Sequence, residues 1–242
     1  MFPIILKIGP VTIYSYGLMM AVAVMVCVFL LSRDARSLGI SSEKIFDFVF
    51  WVVLSGIAGA RLFFILLNLD YFVRDPLEIV MLQKGGLAWQ GSLIAGTVAA
   101  LVYIRKQKLP LAPFLDIIAP YVALGQAIGR LGCFLNGCCY GKPLAWGIYF
   151  PVHQASLHPT QLYDALGLVL IFFVLKKYQR LNKISGRVFI LYLILASLQR
   201  FMIEFFRADH QILFFGLSIF QLICLSVLLV ALYANACLKS RS

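Results

Sequence analysis

YGLMMAVAVMVCVFLLS, residues 16–32, is an apolar run of seventeen residues that contains no charged side chain. A helix that crosses the hydrocarbon core of a bilayer needs about 20 mostly apolar residues, so this run predicts a membrane span. Six stretches of the same character follow it, at 46–67, 86–104, 111–135, 159–175, 187–206 and 215–237. None alternates between polar and apolar residues as barrel strands do. We therefore expect an all-α, polytopic membrane protein with about seven transmembrane helices.

Composition supports the same class. Of the 242 residues, 62% are hydrophobic and 13% charged, and the mean hydropathy is +0.93. Soluble domains are about 45–50% apolar and about 25% charged. The sequence contains no long linker, repeat or low-complexity tract. We expect one membrane domain over residues 1–242, with a small extracytoplasmic or interfacial arm within 68–85 and an extracytoplasmic loop at 136–158.

The basic residues are distributed unevenly between the two sides of the predicted bundle. They concentrate in 33–44, 105–108, 176–187 and 239–241, which follow the first, third, fifth and seventh stretches. Under the positive-inside rule this pattern places the N-terminus outside and the C-terminus in the cytoplasm. The net charge of +11 is split among short loops, which speaks against a nucleic-acid partner.

Polar residues within or at the ends of the apolar stretches fall on the predicted outer side. Each charged group in hydrocarbon costs about 2.5–3.5 kcal/mol on insertion scales, so such residues mark a functional site by default. The alternative for individual arginines at helix ends is that their side chains reach toward lipid headgroups. The set consists of Tyr16, Arg61, Gln90, Arg130, Tyr163, Asp164, Arg200, Glu204 and Arg207.

The sixth stretch carries two arginines and a carboxylate on one helical face. Arg200, Glu204 and Arg207 follow one another at intervals of four and three residues. A guanidinium donates two parallel hydrogen bonds to phosphate oxygens, so this face suits a bound anion, with Arg130 as a further cation. The alternative is a buried structural pair between Arg200 and Glu204, and the two roles are compatible.

Several short motifs together resemble one enzyme family. Residues 129–137 read GRLGCFLNG, which resembles the signature of the prolipoprotein diacylglyceryl transferases. Further elements occur in that family's order over nearly the whole chain: YGLM at 16–19, GGL at 85–87 with Gly91 and LI at 93–94, HPTQLY at 158–163, RFMIEFFR at 200–207 and SIFQ at 218–221.

The resemblance implies a reaction and a set of site residues. Members transfer the diacylglyceryl group of phosphatidylglycerol to the lipobox cysteine of a prolipoprotein, which forms a thioether and releases glycerol phosphate. The implied location is the bacterial inner membrane, with the site toward the periplasm, and no metal or cofactor is expected. The implied catalytic residues are Arg130, Arg200, Gln90 and Tyr16. The implied phosphatidylglycerol-binding residues are Arg130, Arg200, Asn136, Glu204, Arg207, Arg61, Gly132, His158 and Tyr163.

The sequence also departs from the family pattern. Gln90 stands where many members have histidine, and a glutamine side chain cannot act as a general base. Two alternatives for activating the acceptor thiol stay open. The field of Arg130 and Arg200 lowers the thiol pKa without a base, or His158 accepts the proton.

Three of the six cysteines lie together near the predicted outer face, at 133, 138 and 139, two of them where many members have Asn and Glu. We consider ordinary packing, a Cys133–Cys138 disulfide, or a metal site with His153 and His158, and packing is favoured because the spacing is no recognised zinc pattern.

Two other function classes stay open at this point. A divergent relative would use the same lipid site on another acceptor. A lipid transporter would usually show inverted repeats and broken helices at the midplane, whereas here the polar residues gather at one end.

Overall fold

The computed structural model describes residues 1–8, 11–81, 85–182, 184–208, 212–214 and 216–240. Helices dominate this part of the chain, and each of the seven predicted stretches overlaps one long helix. The helices are α1 (Ser15–Ala35), α2 (Ser42–Leu67), the short α3 (Leu69–Arg74), α4 (Trp89–Lys106), α5 (Leu111–Asn136), α6 (Thr160–Leu181), α7 (Arg187–Glu204) and α8 (Ile219–Ser240). The predicted helical class is therefore confirmed.

Four of the described helices are long and apolar enough to cross a membrane, judged by length and composition. These segments are Ser15–Leu38, Ser42–Leu67, Leu111–Asn136 and Ile219–Lys239. The finding supports a membrane protein, and the count of seven crossings stays a prediction. Residues 82–84, 183, 215 and 241, which fall within the predicted arm, spans and basic segments, lie outside the described residues.

Short antiparallel hairpins and single turns of 3₁₀ helix connect the helices. The hairpins pair β1 (Ile4–Ile8) with β2 (Val11–Tyr14), β3 (Pro143–Phe150) with β4 (Ala155–Leu157), and β5 (Ile212–Phe214) with β6 (Leu217–Ser218). The 3₁₀ turns are Arg36–Leu38 and Pro76–Val80. The β3–β4 hairpin falls inside the loop predicted at 136–158.

The contacts divide the chain into two compact units, a first unit of residues 1–34 and 112–242 and a second unit of residues 35–111. In the second unit, α2 and α4 approach each other so closely that a Cβ on Gly59 would lie 2.6 Å from the carbonyl oxygen of Gly91. Glycine permits this approach because it has no side chain. The prediction of a single domain stays a prediction.

The core of the first unit lies where α5 meets α6 and α7. Small residues of α5 recur every four positions at Ala119, Ala123 and Ala127, so they form one narrow strip that lets the other helices approach. The buried partners are Leu168, Ile171 and Leu175 of α6 with Val188 and Tyr192 of α7.

Two polar contacts fix the ends of these helices away from the arginine residues. The carboxylate of Asp116 on α5 accepts hydrogen bonds from the backbone N–H groups of Gly186 (2.6 Å) and Phe189 (2.8 Å), and so caps the start of α7. Asp34 at the end of α1 accepts a 2.6 Å hydrogen bond from the Tyr121 hydroxyl and forms an ion pair with Lys176 of α6. We call Asp34, Tyr121 and Lys176 the lysine cluster.

Candidate active site

The end of α5 is set by a glycine in a left-handed conformation. Gly137 has φ +76° and follows the last helical residue, Asn136. The N–H of Cys138 donates to the carbonyl of Cys133 at 3.1 Å, and the N–H of Gly137 donates to that of Phe134 at 3.2 Å. This is the hydrogen-bond pattern of a Schellman motif, which satisfies the last carbonyls of the helix.

The loop after Gly137 is fastened to the start of α6 by two buried side chains. The Thr160 hydroxyl donates to the carbonyl of Cys139 at 2.8 Å, and the Gln161 amide donates to that of Cys138 at 2.6 Å. Both residues are almost fully buried. The first turn of α6 is therefore held against the end of α5, and Asp164 lies one turn further along α6.

Asp164 joins two arginines from different helices. Its Oδ2 lies 2.7 Å from Nε of Arg130 on α5 and 4.0 Å from Nη1 of Arg200 on α7. Its Oδ1 accepts a 2.9 Å hydrogen bond from the Gln199 side chain. The carboxylate is buried, and it holds Arg130 and Arg200 beside each other despite their like charges.

The sequence placed Asp164 among the polar residues that mark a site, but it gave a lipid-binding role to Tyr163 and none to Asp164. A signal was present, because Asp164 is the only charged residue in the apolar stretch 159–175. The cost of a charge in such a stretch is a general indication of a partnered or functional group.

A second buried carboxylate, Glu204, lies between Arg200 and Arg207. Its Oε2 is 2.9 Å from Nη2 of Arg200 and 3.7 Å from Nε of Arg207, as expected for residues on one helical face. Its Oε1 accepts a 2.9 Å hydrogen bond from the Ser218 hydroxyl. Glu204 is therefore oriented by contacts on two sides.

The motif at 218–221 explains how Ser218 is positioned. The Ser218 N–H donates to Oε1 of Gln221 at 2.9 Å, and the Gln221 N–H donates to Oγ of Ser218 at 3.3 Å. This reciprocal pair is a capping box at the start of α8. The cap satisfies two backbone donors and presents the serine hydroxyl to Glu204.

We call Arg130, Asp164, Arg200, Glu204 and Arg207 the arginine cluster. It contains three guanidinium groups and two carboxylates, so one positive charge is left over. Among the residues that the structure describes, none accepts a hydrogen bond from the buried Nη1 of Arg200. A buried charged donor without an acceptor is costly, so the cluster is suited to bind an anion.

Five other predicted residues of the first unit lie on the elements around this cluster. Tyr16 begins α1, where a Cβ added to Gly132 of α5 would lie 3.4 Å from the Tyr16 ring and 3.0 Å from Met19 Cβ. Asn136 ends α5, and His158 precedes α6 with its Nδ1 3.4 Å from the Tyr163 hydroxyl.

In the second unit, Arg61 is occupied by backbone carbonyls. Its buried guanidinium donates to Ile79 (3.0 Å), Gly85 (2.6 Å) and Gly86 (3.0 Å), and also to Glu78. Arg61 thereby holds the turns on either side of residues 82–84. Its predicted role in lipid binding stays a prediction.

Comparison with known proteins shows the family. The sequence model of a family described as "Prolipoprotein diacylglyceryl transferase" matches residues 3–237. The chain belongs to this family.

Three curated relatives, each named "Phosphatidylglycerol--prolipoprotein diacylglyceryl transferase", show the extent of the similarity. The Clostridium tetani protein is 34% identical over 240 residues, with 96% of each chain covered. The Streptococcus pyogenes protein is 35% identical over 240 residues, covering 95% of this chain and 92% of the relative. The Oceanobacillus iheyensis protein is 31% identical over 242 residues, covering 94% and 84%.

Gln90 and two of the clustered cysteines are the positions at which this sequence departs from the pattern of the transferase family. Gln90 lies half-buried in the first turn of α4, in the second unit. Its predicted place beside Arg130 and Arg200 stays a prediction.

The sulfur atoms of Cys133, Cys138 and Cys139 lie within 4.8 Å of one another, and all three thiols are free. We call these residues the cysteine cluster. Hydrogen bonds with the other two thiols, together with the charge of Arg207, lower the pKa of the Cys139 thiol.

The histidines considered as metal ligands with these cysteines have other contacts. The His153 Nε2 lies 3.0 Å from the carbonyl oxygen of Gly137, and its ring centroid is 3.9 Å from that of Tyr140. Among the described residues, the group that could hold a metal here contains the three cysteines and neither histidine. His153 and His158 therefore do not join the three thiols, because their imidazoles face other groups.

Proposed function

We propose that this protein transfers the diacylglyceryl group of phosphatidylglycerol to the cysteine thiol of a prolipoprotein lipobox. Membership of the transferase family supports this function, as do the names of relatives that match almost the whole chain. The products are a thioether-linked lipoprotein precursor and glycerol phosphate. The second substrate is a prolipoprotein signal peptide that carries the lipobox cysteine.

The observation that carries the proposal is the surplus positive charge around Asp164. Arg130 and Arg200 come from separate helices and meet at one carboxylate, and Nη1 of Arg200 is left without an acceptor among the described residues. The phosphodiester of phosphatidylglycerol carries one negative charge, which matches the charge left over in the arginine cluster. The side chains of Arg130 and Arg200 remain 25% and 22% exposed, which leaves room for contact with a ligand.

The arginine cluster suits the bond changes of this reaction. The acceptor sulfur forms a bond to the glycerol carbon that carries the phosphate, and the bond between that carbon and the phosphate oxygen breaks. The electron pair stays on the leaving oxygen, so negative charge grows on the phosphate. Arg130 and Arg200 are held in place before the reaction, and preorganised positive charge stabilises such a transition state most effectively in a site with little water.

Thiol activation without a dedicated base is the alternative that the contacts favour. The surplus positive charge of the arginine cluster lowers the pKa of a thiol that enters beside it, and the proton leaves to water. His158 fits the role of a base less well. Its Nδ1 faces the Tyr163 hydroxyl, and its ring packs beside Trp146 and Phe206.

The other predicted residues have roles around this centre. Tyr16 and Asn136 orient glycerol or phosphate oxygens, and Gly132 keeps α1 close to α5. Glu204 positions Arg200 and Arg207, while Tyr163 and His158 form an aromatic wall with Phe206. Arg61 and Gln90 lie in the second unit, and their expected roles in lipid binding and catalysis stay predictions.

The topology that accompanies this function has seven spans, with the N-terminus outside and the C-terminus in the cytoplasm. The basic segments at 33–44, 105–108 and 176–187 support this orientation. The arginine cluster then faces the periplasmic side of the bacterial inner membrane, where phosphatidylglycerol and exported prolipoproteins are both available.

The deciding experiment measures transfer of labelled diacylglycerol from phosphatidylglycerol to a lipobox peptide by the purified protein. We expect Arg130→Ala and Arg200→Ala each to lower the rate by about 10²–10³-fold, the usual cost of removing one preorganised donor. Arg33→Ala is the matched control, because Arg33 lies at the far end of α1 and stacks on Phe29. Its rate should equal that of the wild type.

Failure of the folded wild type to transfer from any of several phospholipids would refute the proposal. Attention would then turn to the divergent relative that uses another acceptor, with Gln90 and Cys138 as the first positions to vary.

A further inference from the structure

The cysteine cluster is assembled by the backbone at the end of α5. In a Schellman motif, the residue three positions before the last helical residue contacts the residue two positions after it. Here these positions are Cys133 and Cys138, and the Sγ of Cys138 lies 3.7 Å from the carbonyl oxygen of Cys133. Cys139 follows with φ +60°, a left-handed conformation that few residues other than glycine adopt. Its sulfur thereby joins the other two.

The spacing of the three sulfurs fits coordination of one metal ion. A zinc ion binds thiolate sulfur at about 2.3 Å, so sulfurs in a tetrahedral site lie about 3.8 Å apart. The three sulfurs already lie within 4.8 Å of one another, so small side-chain rotations bring them to that spacing. Cys133 is buried, and Cys138 and Cys139 are half-buried.

Neighbouring groups compensate the charge of such a site. Three thiolates around a divalent ion carry one net negative charge. Arg207 lies close to Cys139, so its positive charge offsets the net charge of the site. Partners of this kind around the ligands stabilise metal sites.

The loop that carries two of the cysteines is held in shape by contacts that do not involve the thiols. Thr160 and Gln161 bind the carbonyl oxygens of Cys139 and Cys138. The loop therefore loses little conformational entropy when an ion binds, because its hydrogen bonds to α6 already restrict it.

We infer that Cys133, Cys138 and Cys139 form a binding site for one thiophilic divalent cation of the zinc class. Water fills the fourth position, and binding releases the thiol protons to solvent. The site lies beside the arginine cluster, and no step of the proposed transfer reaction is assigned to it. This inference goes beyond the proposed function and replaces the expectation of ordinary packing for these cysteines.

The test uses Cd²⁺ as a probe, because cadmium–thiolate bonds absorb in the ultraviolet. Reduced, purified protein in detergent is titrated with Cd²⁺, and bound metal is counted after dialysis. We expect one Cd²⁺ per chain with thiolate absorption, displaced by Zn²⁺, and a higher thermal unfolding midpoint when the ion is bound.

Variants assign the ligands. Removing a residue that only contacts a metal ligand lowers metal affinity by about 10–100-fold. Cys138→Ser and Cys139→Ser each remove a ligand, so each should lower the Cd²⁺ affinity by more than this. The matched control changes Cys27, Cys224 and Cys237 to serine together, and it should bind like the wild type. The unfolding midpoint of each metal-free variant shows that it is folded.

Three results would overturn the inference. They are the absence of stoichiometric binding by the wild type, loss of binding in the control variant only, and a disulfide between any two cluster cysteines in protein isolated from membranes without reductant.

Discussion

The lysine cluster and the arginine cluster share two helices, α5 and α6, yet their charges are balanced differently. Both draw on α5 and α6, from positions nine residues apart on α5 and twelve apart on α6, so about 13–18 Å separates them along the helix axes. In the lysine cluster Lys176 and Asp34 neutralise each other, and the Tyr121 hydroxyl completes the network. In the arginine cluster the carboxylates are outnumbered, and Nη1 of Arg200 is left without an acceptor among the described residues.

The difference shows how a structural polar cluster is distinguished from a ligand site. A balanced ion pair satisfies its own members and ties helices together. A cluster with surplus charge and a buried, unsatisfied donor is complete only when an ion of the opposite sign is bound. The following substitutions test this distinction in order of expected effect.

Asp164→Asn should have the largest effect of the three. The substitution leaves Arg130 and Arg200 side by side without the carboxylate that separates their charges. Breaking a buried ion pair costs about 3–5 kcal/mol, so the unfolding midpoint should fall and transfer should be nearly abolished. Thermal unfolding and the transfer rate measure the two effects.

The matched control is Asp34→Asn, the same chemical change in the lysine cluster. If it lowered the transfer rate as much as Asp164→Asn does, the proposed difference between the clusters would be wrong.

Ser218→Ala tests whether the orientation of Glu204 matters. The change removes the hydroxyl that donates to Glu204 and the cap of α8. Loss of a helix cap lowers the free energy of unfolding by about 0.5–2 kcal/mol. We expect the transfer rate to fall about tenfold, because a hydrogen bond to a charged group contributes about 1.5 kcal/mol. Ser226→Ala serves as the control, because its hydroxyl bonds within α8 to the Leu222 carbonyl.

An unchanged rate in Ser218→Ala would show that Glu204 is held adequately by its arginine partners.

Lys176→Met should have the smallest effect. Lys176 and Asp34 are partly exposed, at 23% and 31%, and exposed ion pairs contribute about 0–1 kcal/mol. We expect a small loss of stability and an unchanged transfer rate. A drop in the rate comparable to that of Arg200→Ala would contradict a purely structural role for the lysine cluster.

Local spacing was sufficient to predict some parts of the site. Arg200, Glu204 and Arg207 share a face because of the helical repeat, and the structure places Glu204 between the two arginines. The partnership of Asp164 could not be predicted in this way, because Arg130 and Arg200 come from two other helices. Nor could sequence spacing predict the five carbonyl partners of Arg61, which lie 17–25 residues further along the chain.

What the sequence by itself determined was the class of protein and the position of its helices. Apolar runs long enough to span a bilayer require helices, because the backbone must satisfy its own hydrogen bonds in lipid. The family motifs further indicated the chemistry.

Only the tertiary structure decided which charges meet and which sulfurs cluster. Cys133, Cys138 and Cys139 converge because α5 ends in a left-handed turn, and Asp164 meets two arginines because α6 packs beside α5 and α7. The contacts of Asp164 depend on packing between helices far apart in the chain, and no local pattern of residues specifies them.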